Sequence, residues 1–208
     1  MTLRNGTSSI LPAAIVAVSL MAALPLHGKG GNPCREAGSV ATMAPPDEPG
    51  ERMVVTGTVY RPDGTTPAAG VIVYAYQTDL TGEYRRKLFG APRLQGWART
   101  DASGRYELRT IRPGAYPSRS TPAHVHFQLW DGGISWQWNQ DLLFQDDPLV
   151  AASVKTESAA AGRFAWVHQP SKDASGALRV TLNIRAKATG DTLREVTWGW
   201  DACNPRER

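Results

Sequence analysis

Val71-Ile72-Val73-Tyr74-Ala75-Tyr76 is a run of six apolar or aromatic residues, all but one of them β-branched or ring-bearing. Such side chains suit a pleated, extended backbone better than a helix. The in-out alternation is incomplete, as expected of a strand that meets apolar material on both faces. Outward from this run, comparable short segments recur at 54–60, 96–100, 105–111 and 125–130, with 164–167, 178–186 and 195–199 as further candidates. Pro62-Asp63-Gly64 and Asp101-Ala102-Ser103-Gly104 separate them as turn formers, because Pro presets one backbone angle and Gly accepts positive φ. No stretch carries an amphipathic helical repeat of three or four turns. The pattern predicts an all-β fold, a β-sandwich whose two sheets enclose one core.

Longer connections interrupt the strands at 79–95, 113–123 and 130–148. Loops held on a rigid sheet are where ligands usually bind, and the first two flank the chemistry-bearing residues below. The third contains Trp130, Trp136 and Trp138, which read as packing rather than as a ligand platform.

The ends of the chain read differently. Arg4 precedes a mostly apolar run at 10–26, followed by His27-Gly28-Lys29-Gly30-Gly31, the charged, apolar, small-polar order of a signal peptide. Residues 1–30 are therefore expected to be a leader that exports the chain to the periplasm or outside the cell. The apolar run is too short for a stable membrane span after processing. Residues 31–52 read as a linker or arm, and 53–208 as a single domain. Cys34 and Cys203, the only cysteines, lie near the two ends of the mature chain. In an oxidising compartment they can pair in a disulfide, and the alternative is two isolated thiols. The net charge of +4 arises from interspersed basic and acidic residues without a basic stripe, so no nucleic-acid partner is indicated.

His124-Val125-His126 is the strongest local chemical signal. In a strand, residues i and i+2 share a face, so both imidazoles can converge on one metal while Val125 packs on the other side. The pair alone fits zinc, copper, manganese or iron, as well as histidines that bind nothing.

Several motifs occur in a fixed order: Gly57-Thr58-Val59 with Asp63-Gly64; Gly82-Glu83-Tyr84; Arg99-Thr100-Asp101-Ala102-Ser103-Gly104-Arg105-Tyr106; Arg112-Pro113-Gly114-Ala115-Tyr116-Pro117; and Thr121-Pro122-Ala123-His124-Val125-His126-Phe127. This series resembles that of the intradiol ring-cleavage dioxygenases, closest in style to the protocatechuate 3,4-dioxygenase branch. The resemblance implies a prealbumin-like β-sandwich with long active-site loops and Fe(III) held by Tyr84, Tyr116, His124 and His126. Tyr84 and His124 would lie in the equatorial plane and Tyr116 and His126 would be axial. Two phenolates and a hydroxide balance the charge of ferric iron, and two imidazoles complete the set. The implied partners are a small aromatic diol of the catechol type and O2, and the implied product is a cis,cis-muconate-type dicarboxylate. Tyr116 would take a substrate proton. A paired assembly, a homodimer, is common in the family.

Two positions depart from the family pattern. Thr121 stands where ring-cleaving members commonly carry Arg, with Arg119 the nearest arginine. The family's glutamine is matched only by Gln140, offset by one residue. Arg119 and Gln140 are accordingly the candidate catalytic residues beside Tyr116, while Arg85, Arg86 and Arg93 are candidates for holding a substrate carboxylate. The alternative reading is an exported non-catalytic β-sandwich binding module, which shares the opening strand and turn motifs but needs neither the two tyrosines nor the histidine pair.

Overall fold

A computed structural model describes residues 31–84, 90–192 and 196–204. The predicted leader, Arg85 and Arg86 lie outside the described residues.

The strands form two sheets. The first has the order β1 (Val40–Thr42), β5 (Arg105–Ile111), β2 (Arg52–Tyr60), β11 (Leu178–Thr181) and β10 (Ser171–Lys172), with β12 (Ile184–Arg185) also on β2. The second runs β4 (Leu94–Arg99), β3 (Ile72–Gln77), β6 (His124–Asp131), β8 (Leu142–Phe144) and β9 (Val167–His168), with β7 (Ile134–Trp138) on β6. Alternation aims Met53, Val55 and Val59 of β2 and Val125, Phe127 and Leu129 of β6 into one shared core.

β3 is buried along its whole length, which explains its broken alternation. Val73 and Ala75 face the core between the sheets, whereas Ile72, Tyr74 and Tyr76 enter a second cluster with Trp130, Trp136, Cys34 and Cys203. This outer cluster covers the sheet face that also bears the histidines.

The fold is mostly β rather than strictly all-β. Short helices occur at α1 (Pro33–Glu36), α2 (Ala152–Ala160) and α3 (Trp198–Cys203), and Gly162–Phe164 is a 3-10 turn. The strand expected at 195–199 is corrected: Trp198 opens α3, and Gly199 lies against the Tyr74 ring so closely that an added Cβ would meet it at 2.4 Å. The run at 164–167 contributes only the short β9. The connection at 130–148 hides a hairpin, turned by Asp131, Gly132 and Gly133 at φ 65°, 57° and 79°. Residues 31–52 supply α1 and also β1, which pairs in parallel with β5. Cys34 and Cys203 form a disulfide with Cα atoms 5.3 Å apart, joining α1 to α3 and replacing the reading of two isolated thiols.

Candidate metal centre

Strand pairing places the first ligand candidates. β3 and β6 run antiparallel with Tyr76 opposite His126, and β8 pairs His124 with Leu143 and Val125 with Leu142. His124 and His126 share the outer face of β6, with Val125 in the core, as the spacing predicts.

The tyrosines arrive on two loops that touch through glycine. Gly82 has φ +83°, and a Cβ there would lie 1.9 Å from the Ala115 carbonyl oxygen. A Cβ on Gly114 would lie 2.4 Å from the Leu80 carbonyl oxygen and 2.7 Å from the Gly82 nitrogen. Each glycine stands two residues before its tyrosine, so the Gly-x-Tyr spacing is a steric requirement of the approach. Asp79 fastens the contact. Its carbonyl accepts from the Gly82 amide at 3.1 Å and the Gly114 amide at 2.8 Å. Its buried carboxylate accepts from the Thr81 amide at 2.8 Å and hydroxyl at 2.6 Å. The Thr78 hydroxyl donates to the Gly114 carbonyl at 2.9 Å, tying the end of β3 to the second loop.

The result is a convergence of polar atoms. Tyr84 Oη lies 2.8 Å from Tyr116 Oη and 2.9 Å from His126 Nε2, while the two histidine Nε2 atoms are 2.9 Å apart. All four predicted ligand residues are thus brought together.

Hydrogen bonds on the far sides of the rings set the tautomers. His124 Nδ1–H donates to the Pro122 carbonyl at 2.7 Å, and His126 Nδ1–H to Asp141 Oδ1 at 2.8 Å. Both partners are acceptors, so each Nδ1 carries a proton and each neutral ring presents an Nε2 lone pair to the centre. A proton shared between these atoms would require an imidazolium. Burial and the neighbouring His126 ring lower the pKa of His124 and oppose that charge. A cation resolves the conflict. Nitrogen ligands about 2.0–2.1 Å from one ion and about a right angle apart lie about 2.9 Å from each other. His124, His126 and Asp141 form a group whose ligand atoms lie within 4.8 Å of one another. Because Asp141 is engaged by Nδ1 of His126, it orients that ring rather than facing the convergence.

Burial, chiefly, and the hydrogen bond with Tyr116 push the Tyr84 phenol well above its ordinary range. Without a cation Tyr84 therefore stays protonated, and an ion that lowers its pKa makes it an anionic ligand.

Sequence reading misses Asp141, fifteen residues from its partner in chain order. Its only signal is register: continuing the β6–β8 pairing by one residue sets Asp141 opposite His126. Asp141→Asn is expected to weaken metal affinity roughly 10–100-fold, because the amide can offer the wrong group to Nδ1–H. Competitive titration with a chelator measures this, and an unchanged affinity would contradict the orienting role.

The other candidates are more scattered. Arg119 occupies an exposed turn at φ +55° and lines a cavity of about 480 Å³ together with Tyr116, Arg112 and Asp146. Thr121 contributes its carbonyl, which accepts from the Tyr116 amide at 3.2 Å and so closes the tyrosine's turn. Gln140 is exposed and borders a different cavity, with Phe164 and Trp166; its neighbour Asp141 makes the contact to the histidine. Arg93 is committed to a two-pronged ion pair with buried Glu48.

The chain is similar to known dioxygenases in sequence and in fold. The family model described as Dioxygenase matches residues 25–198. The protocatechuate 3,4-dioxygenase beta chain of Burkholderia cepacia is 36% identical over 114 residues, covering 49% of this chain and 48% of the relative. Catechol 1,2-dioxygenase 1 of Acinetobacter lwoffii is 36% identical over 128 residues, covering 50% of this chain and 40% of the relative. The chain thus spans about half the length of these curated relatives. Among solved structures, the dioxygenase domain of a dioxygenase carbohydrate-binding protein fusion from Streptomyces sp. SirexAA-E superposes with a TM-score of 0.55 at 23% identity, covering 71% of this chain and 87% of that one. An intradiol ring-cleavage dioxygenase from Tetranychus urticae gives a TM-score of 0.54 at 20% identity, covering 73% and 88%. With the family match extending over most of the sequence, the chain belongs to the intradiol ring-cleavage dioxygenase family.

Proposed function

We propose that the centre holds ferric iron through Tyr84, Tyr116, His124 and His126, and that the protein uses O2 to open a catechol-type diol to a cis,cis-muconate-type dicarboxylate. The observation that carries this reading is the convergence of two phenol oxygens with two imidazole lone pairs whose tautomers are fixed from behind. A hard, highly charged ion matches two oxygen anions with two nitrogens better than a softer divalent ion does. When bound, ferric iron supplies Lewis acidity, a template for both diol oxygens, and the redox capacity to make the ring reactive toward O2.

The chain's own residues prepare that chemistry. His126 is held by Asp141 and His124 by the Pro122 carbonyl, so neither ring needs to reorient during turnover. On this reading Tyr116, which lies outside the strands and lines the same cavity as Arg119, accepts a proton from one substrate hydroxyl at Oη. Arg119 lines the same cavity as Tyr116 and, on this reading, is the candidate to take the place of the arginine absent at position 121. A non-catalytic binding module gives no reason for two phenols and two imidazoles to meet.

Export follows in the same proposal. The charged-apolar-polar order of the first residues and the Cys34–Cys203 disulfide both support an oxidising destination, periplasmic or extracellular.

The test is to load the leaderless chain with ferric iron and add catechol or protocatechuate, first without and then with O2. One ion per chain, a tyrosinate-to-iron visible band that shifts with the diol, and a ring-opened dicarboxylate on aeration are the expected results. A protein that takes up no ferric iron and stays colourless would overturn the assignment.

Uptake is also expected to depend on pH. Ligation expels phenol protons, and the Tyr84 proton is held more tightly than usual, so affinity rises with pH by up to about tenfold per unit for each proton released. Competition against a chelator of known pH dependence measures the slope. A flat profile would mean that no phenol ionises on binding.

A further inference from the structure

We infer that Trp198 is a positioning residue for the metal centre and that the Cys34–Cys203 disulfide makes its action depend on oxidation. The inference rests on the metal-binding reading above and concerns residues outside the ligand set.

Tyr76 backs the centre from β3. Its ring centroid lies 4.5 Å from that of His126, tilted by 32°, and 5.9 Å from that of Tyr84, so it touches two of the four ligand residues. Behind Tyr76 stands Trp198, edge-on at 5.7 Å. Aromatic rings packed in this way resist rotation of their neighbours.

Trp198 belongs to neither sheet. It opens α3 at the end of the chain, and its place depends on what holds the segment down. The Gln128 amide donates to the Val196 carbonyl at 3.2 Å, Trp97 Nε1 to the Gly199 carbonyl at 3.0 Å, and Asn32 Nδ2 to the Cys203 carbonyl at 2.5 Å. Trp200 packs on Trp130 with centroids 5.7 Å apart. The disulfide then closes α3 onto α1, whose Cys34 carbonyl accepts from Arg99 at 2.9 Å on β4. A covalent bond between the two tails therefore sits at one end of a contact series that runs through Trp198 and Tyr76 to His126. Before the disulfide forms, the strap has only its noncovalent contacts, and local opening of such a terminal segment is easier than global unfolding. The centre is then complete only after oxidation, which would keep the chain weakly metallated in a reducing compartment and activate it after export.

The experiment compares wild type, Trp198→Ala, Trp198→Phe and the Cys34→Ser/Cys203→Ser double variant. No thiol reductant is used, since it would also reduce ferric iron. Trp198→Ala and the double variant are expected to surrender ferric iron to a chelator at least about tenfold faster, with a displaced charge-transfer band and kcat lowered more than KM. Trp198→Phe is expected to restore most of the wild-type behaviour. In the metal-free proteins, the His126 Nδ1–H resonance, sharpened by its bond to Asp141, is expected to broaden or move in Trp198→Ala and in the double variant, and to stay in place in Trp198→Phe. Unchanged extraction, band and imidazole resonance in Trp198→Ala, with nothing altered but Tm, would overturn the inference. Wild type that takes up no ferric iron while Trp198→Ala still disturbs the imidazole would overturn the functional reading and uphold the positioning role.

Discussion

Gly82→Ala is expected to remove the metal centre about as completely as deleting a ligand, although the substitution adds a single methyl group outside the ligand set. At φ +83° an alanine is disfavoured by about 1–2 kcal/mol even in open space. Here the added carbon would also stand 1.9 Å from the Ala115 carbonyl oxygen, so either the Tyr84 loop or the Tyr116 loop must withdraw. Both amides that bond the Asp79 carbonyl belong to these glycines, and the withdrawal breaks that shared anchor as well. Together the effects amount to something on the order of 3 kcal/mol against the assembled site, or roughly 100-fold in ferric affinity. Gly176 provides the control, with the same φ of +83° and open space within 4 Å of where a Cβ would stand. Gly176→Ala should lose about 1 kcal/mol of stability and keep its iron. Equal iron content in the two variants, measured beside matched circular dichroism, would show that loop contact does not build the site.

How much of this is legible in the sequence depends on whether a feature is local. The β3 run announces its burial on both faces, and the histidine pair announces a shared face, because each follows from a period of two along one strand. The Gly-x-Tyr motifs carry the ligands through resemblance, while their physical reason appears only when Gly82 and Gly114 are seen facing each other across two loops. Asp141 escapes notice because its role depends on a strand register that chain order does not encode, and Gln140 draws attention one residue too early. The segment at 195–199 misleads for a related reason. Its valine, threonine and single tryptophan favour a strand, yet helical spacing lets Gly199 lie on Tyr74 while Trp198 reaches Tyr76 and the following Trp200 reaches Trp130. Tertiary packing outweighs a weak local preference.

The two phenols should part company when each is replaced by phenylalanine. Tyr84 Oη is the junction of the centre, within hydrogen-bond distance of both Tyr116 Oη and His126 Nε2, and burial raises its pKa. Removing it takes away the oxygen beside His126 Nε2 and one negative charge from the bound state. Tyr84→Phe is therefore expected to lower ferric affinity by at least about 100-fold, to abolish most of the visible band, and to leave no measurable turnover. Tyr116 stands on a loop and is among the residues that line a cavity of about 480 Å³, whereas Tyr84, His124 and His126 are not. Its proposed task is to receive a proton, a contribution typically worth about 10²–10⁴-fold. Tyr116→Phe should accordingly retain a larger share of the ion, keep a band from Tyr84, and lose kcat by about that factor, with the missing proton acceptor partly replaced at higher pH. Iron content and kcat measured together separate the cases. If both variants lost iron and turnover in the same proportion and with the same pH profile, the phenols would be interchangeable charge carriers and Tyr116 would have no separate part in proton transfer.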